Sequence, residues 1–328
     1  MTADSVSTKL LLAEDAVEFA RTWQPASATT EFVTVEWLTA AWAHLPDLGG
    51  PALAVAEDDS GWCALALAER HDADGRRFVL AGAPLGDEHD VVLSGNASHA
   101  RLVPSLVTML ERLADEGASV RLDALTAHGR LTRELSARSA LWHLRQEPAP
   151  VIVGDRICVN ETGHDRRTRR LSRLGTVSVR VIDGLRLTEA EAEDFVYRRL
   201  ASWSCRGRLG ELPRVERLPH FPRFMGVATS GLAARGMARL LVIELDGRRV
   251  AESLHLGPVA DPLMYMISYD PDFAKYSPGR LLLEHSLLAL RASPTCRLRT
   301  GRGDEQYKLA AGAVTEHVLT ARSHDGGR

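Results

Sequence analysis

The chain has 328 residues, of which 45% are hydrophobic and 25% charged, and this composition excludes a disordered or fibrous protein. The length allows about two domains. The net charge of −3 hides two halves of opposite sign, because residues 1–150 carry 12 basic and 22 acidic side chains and residues 151–328 carry 28 and 21. The basic second half favours an anionic ligand or partner.

No basic N-terminal segment precedes an apolar run, and no stretch approaches the roughly 18 apolar residues that cross a bilayer. We therefore expect a cytoplasmic protein without a membrane span. The four cysteines lie far apart and form no Cys-x-x-Cys pair, which indicates free thiols. The twelve histidines show no spacing typical of zinc ligands, so no metal site is predicted.

The first half alternates helical and strand-like patterns. Apolar residues at helical spacing predict helices, and short apolar runs between turn-rich stretches predict strands. The predicted helices are 13–23, 35–45, 99–116 and 130–139, and the predicted strands are 52–56, 62–68, 77–81, 90–93, 119–124 and 141–145. Pro148 and Pro150 then indicate a boundary between domains 1–147 and 148–328, since proline disfavours regular structure around it.

The second half has a similar order of elements. The predicted helices are 161–174, one that begins near Thr188, 221–235, one that begins at Ser277, and 304–309. The predicted strands are 176–182, 237–245, 249–257, 262–269, 296–299 and 313–320. Asp246-Gly247 is typical of a tight hairpin turn. The two halves together predict a mixed α/β (α+β) fold of two domains, each with a mixed sheet flanked by helices.

The helix that begins at Ser277 has the clearest start in the chain. Ser277 is a residue that can cap a helix, and Pro278 suits the first helical position. A helix start attracts anions, so Arg280 in the first turn is accounted for if a bound anion such as a pyrophosphate lies over it. Gly279 would then let that ligand approach the backbone. The alternative is that Arg280 points into solvent and Gly279 only packs.

A second segment, Gly301-Arg-Gly-Asp-Glu-Gln-Tyr-Lys308, reads as a loop that enters a short helix. The Tyr307 phenol is able to donate a proton to a departing thiolate. Lys308, in a chain with only three lysines, is a candidate to hold a phosphate or a carboxylate. The alternative makes Tyr307 a packing residue and Lys308 a surface one.

The sequence resembles a known family at these segments. The run from Arg223 to Ala313, with Tyr276-Ser-Pro-Gly-Arg-Leu-Leu-Leu-Glu-His285 and Arg302-Gly-Asp-Glu-Gln-Tyr-Lys308, is similar to the acyltransferase domain of the CelD/BcsL type, a branch of the GNAT superfamily. Phe32–Trp42 and Leu80–Asp90 resemble the N-terminal region of that family. The likeness covers most of the chain.

The resemblance implies two GNAT-like units, of which the second is catalytic and binds the pyrophosphate of acyl-CoA at the Ser277 helix start. Relatives of the Fem type share this architecture and use aminoacyl-tRNA as donor. Two features depart from the family. The usual Arg/Gln-x-x-Gly-x-Gly/Ala phosphate loop is replaced by Tyr276–Arg280, and an acidic residue that relatives often carry before the Gly-Asp-Glu loop is Arg299 here.

Acyl transfer from a thioester requires alignment of donor and acceptor and removal of a proton from the acceptor. Glu252 and His255 are candidate bases on the strand after Asp246-Gly247, where alternation sends them to opposite faces. Glu305 is a third candidate. The alternatives are that each glutamate is simply exposed at the surface and that the histidine packs in the protein with its hydrogen bonds made.

Three hypotheses follow. The leading one is transfer of an acetyl or other acyl group from acyl-CoA to an amine or hydroxyl of a small metabolite or saccharide-like acceptor, with general-base assistance. The second is an aminoacyl-tRNA-dependent ligase, because the basic helix Arg166–Arg173 is able to follow an RNA backbone unless it is only a solvated face. The third is an acyltransferase fold retained as an interaction module, which the two departures favour.

Overall fold

The computed structural model describes residues 5–23, 30–83, 85–95, 97–291 and 295–323. Met1–Asp4, part of the segment that showed no targeting pattern, and Pro84 of the Leu80–Asp90 motif lie outside the described residues. The chain divides into two compact units. The first holds the described residues up to Glu147 and from His317 onward, and the second is Pro148–Glu316.

The first unit begins with helices and strands that alternate along the chain. Its helices, α1 to α4, are Ala13–Thr22, Val35–His44, His99–Asp115 and Arg130–Ala137. The strands β1 to β7 are Ser7–Leu12, Gly50–Asp58, Gly61–Asp72, Gly75–Leu80, Val92–Leu93, Ser119–Thr126 and Trp142–Val153. The last of these strands ends within the second unit.

The remaining elements carry the second unit. The helices α5 to α9 are Glu161–Ser172, Glu189–Cys205, Phe221–Ala234, Pro278–Leu290 and Gln306–Leu309. The strands β8 to β13 are Val177–Asp183, Ala238–Leu245, Arg248–Leu256, Leu263–Tyr269, Arg297–Arg299 and Val314–Ser323. Strand β13 ends within the first unit, where it pairs with β6.

The sheet of the first unit is mixed. Its strands lie in the order β1-β2-β3-β4-β6-β13, with β5 paired to β3. Strands β4 and β6 are parallel, and the other neighbours in this order are antiparallel. Helix α3 buries Leu102, Leu106, Leu110 and Leu113, which recur every three or four residues and so form one apolar stripe against the sheet.

The sheet of the second unit has the order β8-β9-β10-β11-β12, followed by the end of β7. Strands β8 to β11 are antiparallel neighbours. Strand β12 runs parallel to β11 but pairs with it only where Arg299 faces Leu263. Beyond Leu263, β11 therefore keeps one edge that no described strand covers. A bulge at Tyr265 also interrupts its register with β10.

Helices cover both faces of this sheet. Helix α8 packs on one face, where Leu281 and Leu282 join Ile243 and Val250 in a buried cluster. Helix α6 lies on the other face, toward which Glu252 and Ser268 point from neighbouring strand positions. The start of α8 and the C-terminal part of α6 thus lie on opposite sides of the end of β11.

Most predicted elements are present within a few residues of their predicted bounds. Strand β1 was missed, because the run Leu10-Leu-Leu12 shows no alternation of apolar and polar residues. The domain boundary at 147/148 stays a prediction, but Pro148 and Pro150 do not interrupt regular structure, because both lie inside β7. Their fixed φ suits an extended strand, and their carbonyls accept from the Gly303 and Thr300 N–H groups at 2.9 and 3.2 Å.

The Asp246-Gly247 hairpin is confirmed. Both residues have positive φ, 49° and 80°, and they join β9 to β10, as a turn of this kind requires. Among the described helices, none combines the length and the apolar character needed to cross a bilayer.

Candidate functional site

The chain enters α8 through a tight turn. A 3-10 helix, Pro271–Tyr276, leads to Ser277, whose backbone is left-handed with φ of 55°. The Ser277 carbonyl accepts from the N–H groups of Arg280 and Leu281 at 3.0 and 3.2 Å. The predicted side-chain cap is wrong, because Ser277 makes no such bond and a capping residue needs an extended backbone. Pro278 does occupy the first helical position.

Ser277 is exposed, and Gly279 and Arg280 are half-buried. The turn is therefore open to solvent on one side. A Cβ at Gly279 would meet only Ile267 and Tyr269 of β11, both at 3.8 Å, which is ordinary contact. The inner side of Gly279 thus faces the sheet, and a ligand must approach this turn from the outer side.

Arg280 has a partner in its own helix. Its Nε donates to the carboxylate of Glu284 at 2.8 Å, one turn further along α8. Glu284 is fully buried and also accepts from Arg167 of α5, while His164 lies 3.3 Å away. The Arg280 charge is thus accounted for by Glu284, without the bound anion that the sequence suggested.

The surface beside the turn is cationic. Arg170 of α5 donates to the Lys275 carbonyl at 3.3 Å, and both cations lie over the Tyr276 ring, 5.7 and 5.3 Å from its centroid. Arg166 and Arg173 extend this cationic surface along α5 and are exposed. Within the described residues, none of these four cations forms an ion pair. We call Arg166, Arg170, Arg173 and Lys275 the basic surface.

Lys308 is buried and holds the loop that precedes α9. Its Nζ donates to the carbonyls of Gly301, Arg302 and Gly303 at 3.3, 2.9 and 3.1 Å and pairs with Glu305 at 2.8 Å. The two glycines have φ of 72° and 95°, which lets successive carbonyls converge on one cation. The hydrogen-bond donors of the Lys308 ammonium group are therefore all used by its own loop.

Tyr307 and Glu305 lie at the surface of α9 and its approach. The Tyr307 side chain is 44% exposed, and its burial, together with the Glu305 charge, raises its pKa to about 12. Burial alone would raise the pKa of Glu305, but hydrogen bonds from Lys308 and from its own backbone outweigh this and lower it. Tyr307 stays protonated at neutral pH, and Glu305 stays ionised.

Glu252 and His255 point to opposite faces of the sheet, as alternation predicted. Glu252 faces α6 and accepts from Arg198, at 2.7 and 2.9 Å, and from Arg249 at 2.8 Å. Two guanidinium groups therefore hold its charge. The carboxylate is buried in this arrangement, with 4% of its side chain exposed.

His255 faces α8. Its Nε2 lies 3.0 Å from the Ser253 hydroxyl and 3.3 Å from that of Ser286. Burial, and next the charge of Arg239, lower the pKa of His255 to about 3. Only 5% of the residue is exposed, so an acceptor has no path to its imidazole.

The structure brings six of the eight singled-out residues to one region. Ser277, Gly279 and Arg280 form the α8 start, and the Arg280 Nη1 lies 3.4 Å from the Tyr307 carbonyl, which places α9 beside it. Glu305 directly precedes α9 and Lys308 lies within it. Glu252 and His255 lie on β10 instead. Sequence reasoning missed Glu284, although a carboxylate four residues after Arg280 on a helix is itself a pairing signal.

Two further observations concern the described residues. Arg299, at the position where the resemblance led us to expect an acidic residue, is buried and donates to the Asp261 carbonyl at 3.0 Å. No group of three or more His, Cys, Asp or Glu side chains in the described ranges is arranged to hold a metal ion.

Comparisons with known proteins identify the fold. Residues 162–309 match the family model of the acetyltransferase (GNAT) domain. The structure resembles FemX, with 8% identity over 97% of this chain and 98% of that chain and a TM-score of 0.56. It also resembles a conserved protein of unknown function from Bacteroides thetaiotaomicron, with 9% identity over 88% and 90% and a TM-score of 0.56.

L-PGS from Bacillus licheniformis is a third similar structure, with 11% identity over 81% of this chain and 82% of that one and a TM-score of 0.52. No curated protein sequence matches the chain. Identities this low show the fold alone. The predicted mixed α/β fold of GNAT type is thus confirmed, and the second unit contains the segment that matches the acetyltransferase (GNAT) domain; the CelD/BcsL type stays a prediction.

Proposed function

We propose that this protein transfers an acetyl or other acyl group from an acyl-CoA to an amine or hydroxyl of a small metabolite or saccharide-like acceptor. The observation that carries the proposal is the open turn at Ser277 beside the basic surface, inside the segment that matches the acetyltransferase domain. Coenzyme A ends in phosphate groups, and the outer side of this turn offers them a helix start and four cations.

The free edge of β11 suits the amide-containing arm of the same donor. Because the Asp270 N–H donates to the Val250 carbonyl of β10, alternation turns the polar groups of Ile267 and Tyr269 to the other edge. Their carbonyls accept from Arg199 and Ser202 of α6, both at 2.6 Å. The edge therefore presents N–H donors, which the carbonyls of an extended donor accept in the manner of an added strand.

Tyr307 is the side chain we assign to the leaving thiolate. A phenol with a pKa of about 12 lies several pKa units above an ordinary thiol, so complete proton transfer from it is unfavourable. It acts instead as a hydrogen-bond donor that stabilises the developing charge. Among the candidate bases we favour Glu305, because Glu252 is held by two guanidinium groups and His255 is enclosed.

Calorimetry with acetyl-CoA tests the donor site. Lys275→Glu places a negative charge beside the turn and should weaken acetyl-CoA binding about tenfold at low salt. Arg217→Glu makes the same charge change at another exposed position of the second unit and should leave the affinity unchanged. Equal affinities in the two variants, or no binding by the unaltered protein, would contradict the proposal.

Tyr307→Phe should lower kcat about tenfold and leave KM for the acyl-CoA nearly unchanged, because the phenol contributes mainly once charge develops on sulfur. Steady-state kinetics with acetyl-CoA and a panel of amines measures both constants. A variant with an unaltered kcat would remove Tyr307 from the mechanism. A rise in KM alone would make it a donor-binding residue.

The basic surface also favours a second candidate, an aminoacyl-tRNA-dependent transferase. Arg166 and Arg170 of α5 and Arg173 at its C-cap lie on consecutive turns and span about 10 Å, enough to contact more than one phosphate of an RNA strand. Calorimetry with total tRNA over a salt series separates the two donors. Steeply salt-dependent tRNA binding without acetyl-CoA binding would support this second candidate.

A further inference from the structure

The second unit contains a cavity on the α6 side of its sheet, away from the α8 start. Its volume is about 220 Å³. Glu252 and Ser268 of neighbouring strands form its floor, and Arg198, Cys205 and Arg249 stand around it. Further lining is supplied by Ala201, Ser202, Val250, Ala251 and Tyr269–Pro271.

Two guanidinium groups and two carboxylates form one network at this cavity. Arg249 donates to Glu191 and Glu252, and Arg198 donates to the same two carboxylates. The hydrogen bond with Arg249, against an opposing effect of burial, lowers the pKa of Glu191. The formal charges of the two guanidinium groups and the two carboxylates cancel.

Some N–H donors of the two guanidinium groups remain unused in this network. The two guanidinium groups have ten N–H bonds, and six hydrogen bonds to the carboxylates use six of them. Within the described residues the other four have no acceptor. The Ser268 hydroxyl at the floor likewise has none, although it is buried in a strand. The cavity thus has more unused donors than unused carboxylate acceptor sites, because the six bonds fill six of the roughly eight lone-pair sites of Glu191 and Glu252.

The unused donors have a specific arrangement. Arg249 bonds to Glu191 through Nη1 and Nη2, so the neighbouring edge, formed by Nε and the second Nη2 hydrogen, remains. That edge is a planar pair of parallel N–H bonds, which a carboxylate accepts in bidentate fashion. A phosphate dianion would place two negative charges on one group beside Glu252 and Asp270, whereas the carboxylate group that enters this edge places one there, also when it belongs to a dicarboxylate such as succinate.

From these observations we infer that the cavity binds a small molecule with a carboxylate group. Arg249 donates two hydrogen bonds to the carboxylate from its free edge, and Arg198 and Ser268 donate the remaining ones. The inference goes beyond the proposed function and does not rest on it, because the cavity and the α8 start lie on opposite faces of the sheet. A failure of one leaves the other standing.

Alkylation of Cys205 can report ligand binding in the cavity, because Cys205 lines it and is exposed. Cys158 is also exposed but does not line the cavity, so it serves as an internal control. The experiment measures alkylation of both cysteines by iodoacetamide, peptide by peptide in a mass spectrometer. Succinate is the probe, succinamide is its neutral counterpart, and inorganic phosphate is the competing anion.

Succinate at about 1 mM should slow alkylation of Cys205 in a saturable way and leave Cys158 unchanged. Ser268→Ala should raise the half-protecting concentration at least about tenfold, as loss of a hydrogen bond to a charged group does. Ser204→Ala, an exposed position of the same helix that does not line the cavity, should not. Both variants retain the ion-pair network and should fold.

Three results would overturn the inference. The first is equal protection by succinate and succinamide, which would show that charge is not recognised. The second is protection by phosphate without protection by succinate. The third is alkylation of Cys205 that no probe slows while acetyl-CoA binding is normal. This result would show that the cavity binds none of the probes, and it would leave the proposed function intact.

Discussion

Replacement of Glu284 by alanine should lower the free energy of unfolding of the second unit by about 3–5 kcal/mol. The carboxylate is fully buried and pairs with Arg167 and Arg280, whose side chains are only 18% and 25% exposed. Its loss would leave two poorly solvated guanidinium groups without their partner, which costs far more than an intact pair contributes. It would also separate α5 from α8 and so disturb the basic surface.

Glu161→Ala is the matched control. Glu161 pairs with Arg291, but both side chains are more than half exposed, so its loss should cost less than about 1 kcal/mol. Hydrogen–deuterium exchange of α5 and α8 peptides, together with urea unfolding, measures both variants. Similar small losses in the two would show that Glu284 does not carry the stability of this helix pair.

Acidification should destabilise the second unit through His255. The folded state holds the pKa of His255 at about 3, whereas an unfolded histidine has a pKa near 6.5. Below pH 6.5 the unfolded state binds a proton that the folded state does not. Stability is therefore lost at up to about 1.4 kcal/mol per pH unit as the pH falls from 6.5 toward 3, which amounts to about 2 kcal/mol at pH 5.

His255→Gln isolates this contribution, because glutamine keeps a donor and an acceptor for Ser253 and Ser286 but does not titrate in this range. Urea unfolding of both proteins at pH 7.5, 6 and 5, followed by circular dichroism, gives the difference in free energy of unfolding at each pH. The unaltered protein should lose its advantage over the variant as the pH falls. A difference that is independent of pH would contradict the expectation.

The order of helices and strands was largely predictable, because apolar periodicity and turn residues act locally. Asp246-Gly247 is the clearest case, since only a few residue types accept two consecutive positive φ angles. The two exceptions lack a decisive local signal. Leu10-Leu-Leu12 carries no alternation that would separate strand from helix, and Pro148 and Pro150 need partners distant in sequence to remain in a strand.

The location of the candidate site was predictable from the sequence, but the contacts between its side chains were not. The start of α8 could be recognised from Ser277-Pro-Gly, although the left-handed backbone of Ser277 depends on the preceding 3-10 helix. Lys308 illustrates the limit. A lysine after two glycines resembles a phosphate ligand, but the fold turns three carbonyls of its own loop onto the ammonium.

By itself the sequence determined where helices and strands begin, the charge of each half and the type of fold, since these follow from near neighbours in the chain. Only the tertiary structure decided which charges neutralise one another. Glu284 meets Arg167 across 117 positions and Glu252 meets Arg198 across 54, and no local pattern encodes such pairs. The cationic surface at the α8 turn and the donor-rich cavity beside α6 are what remains once those pairs have formed.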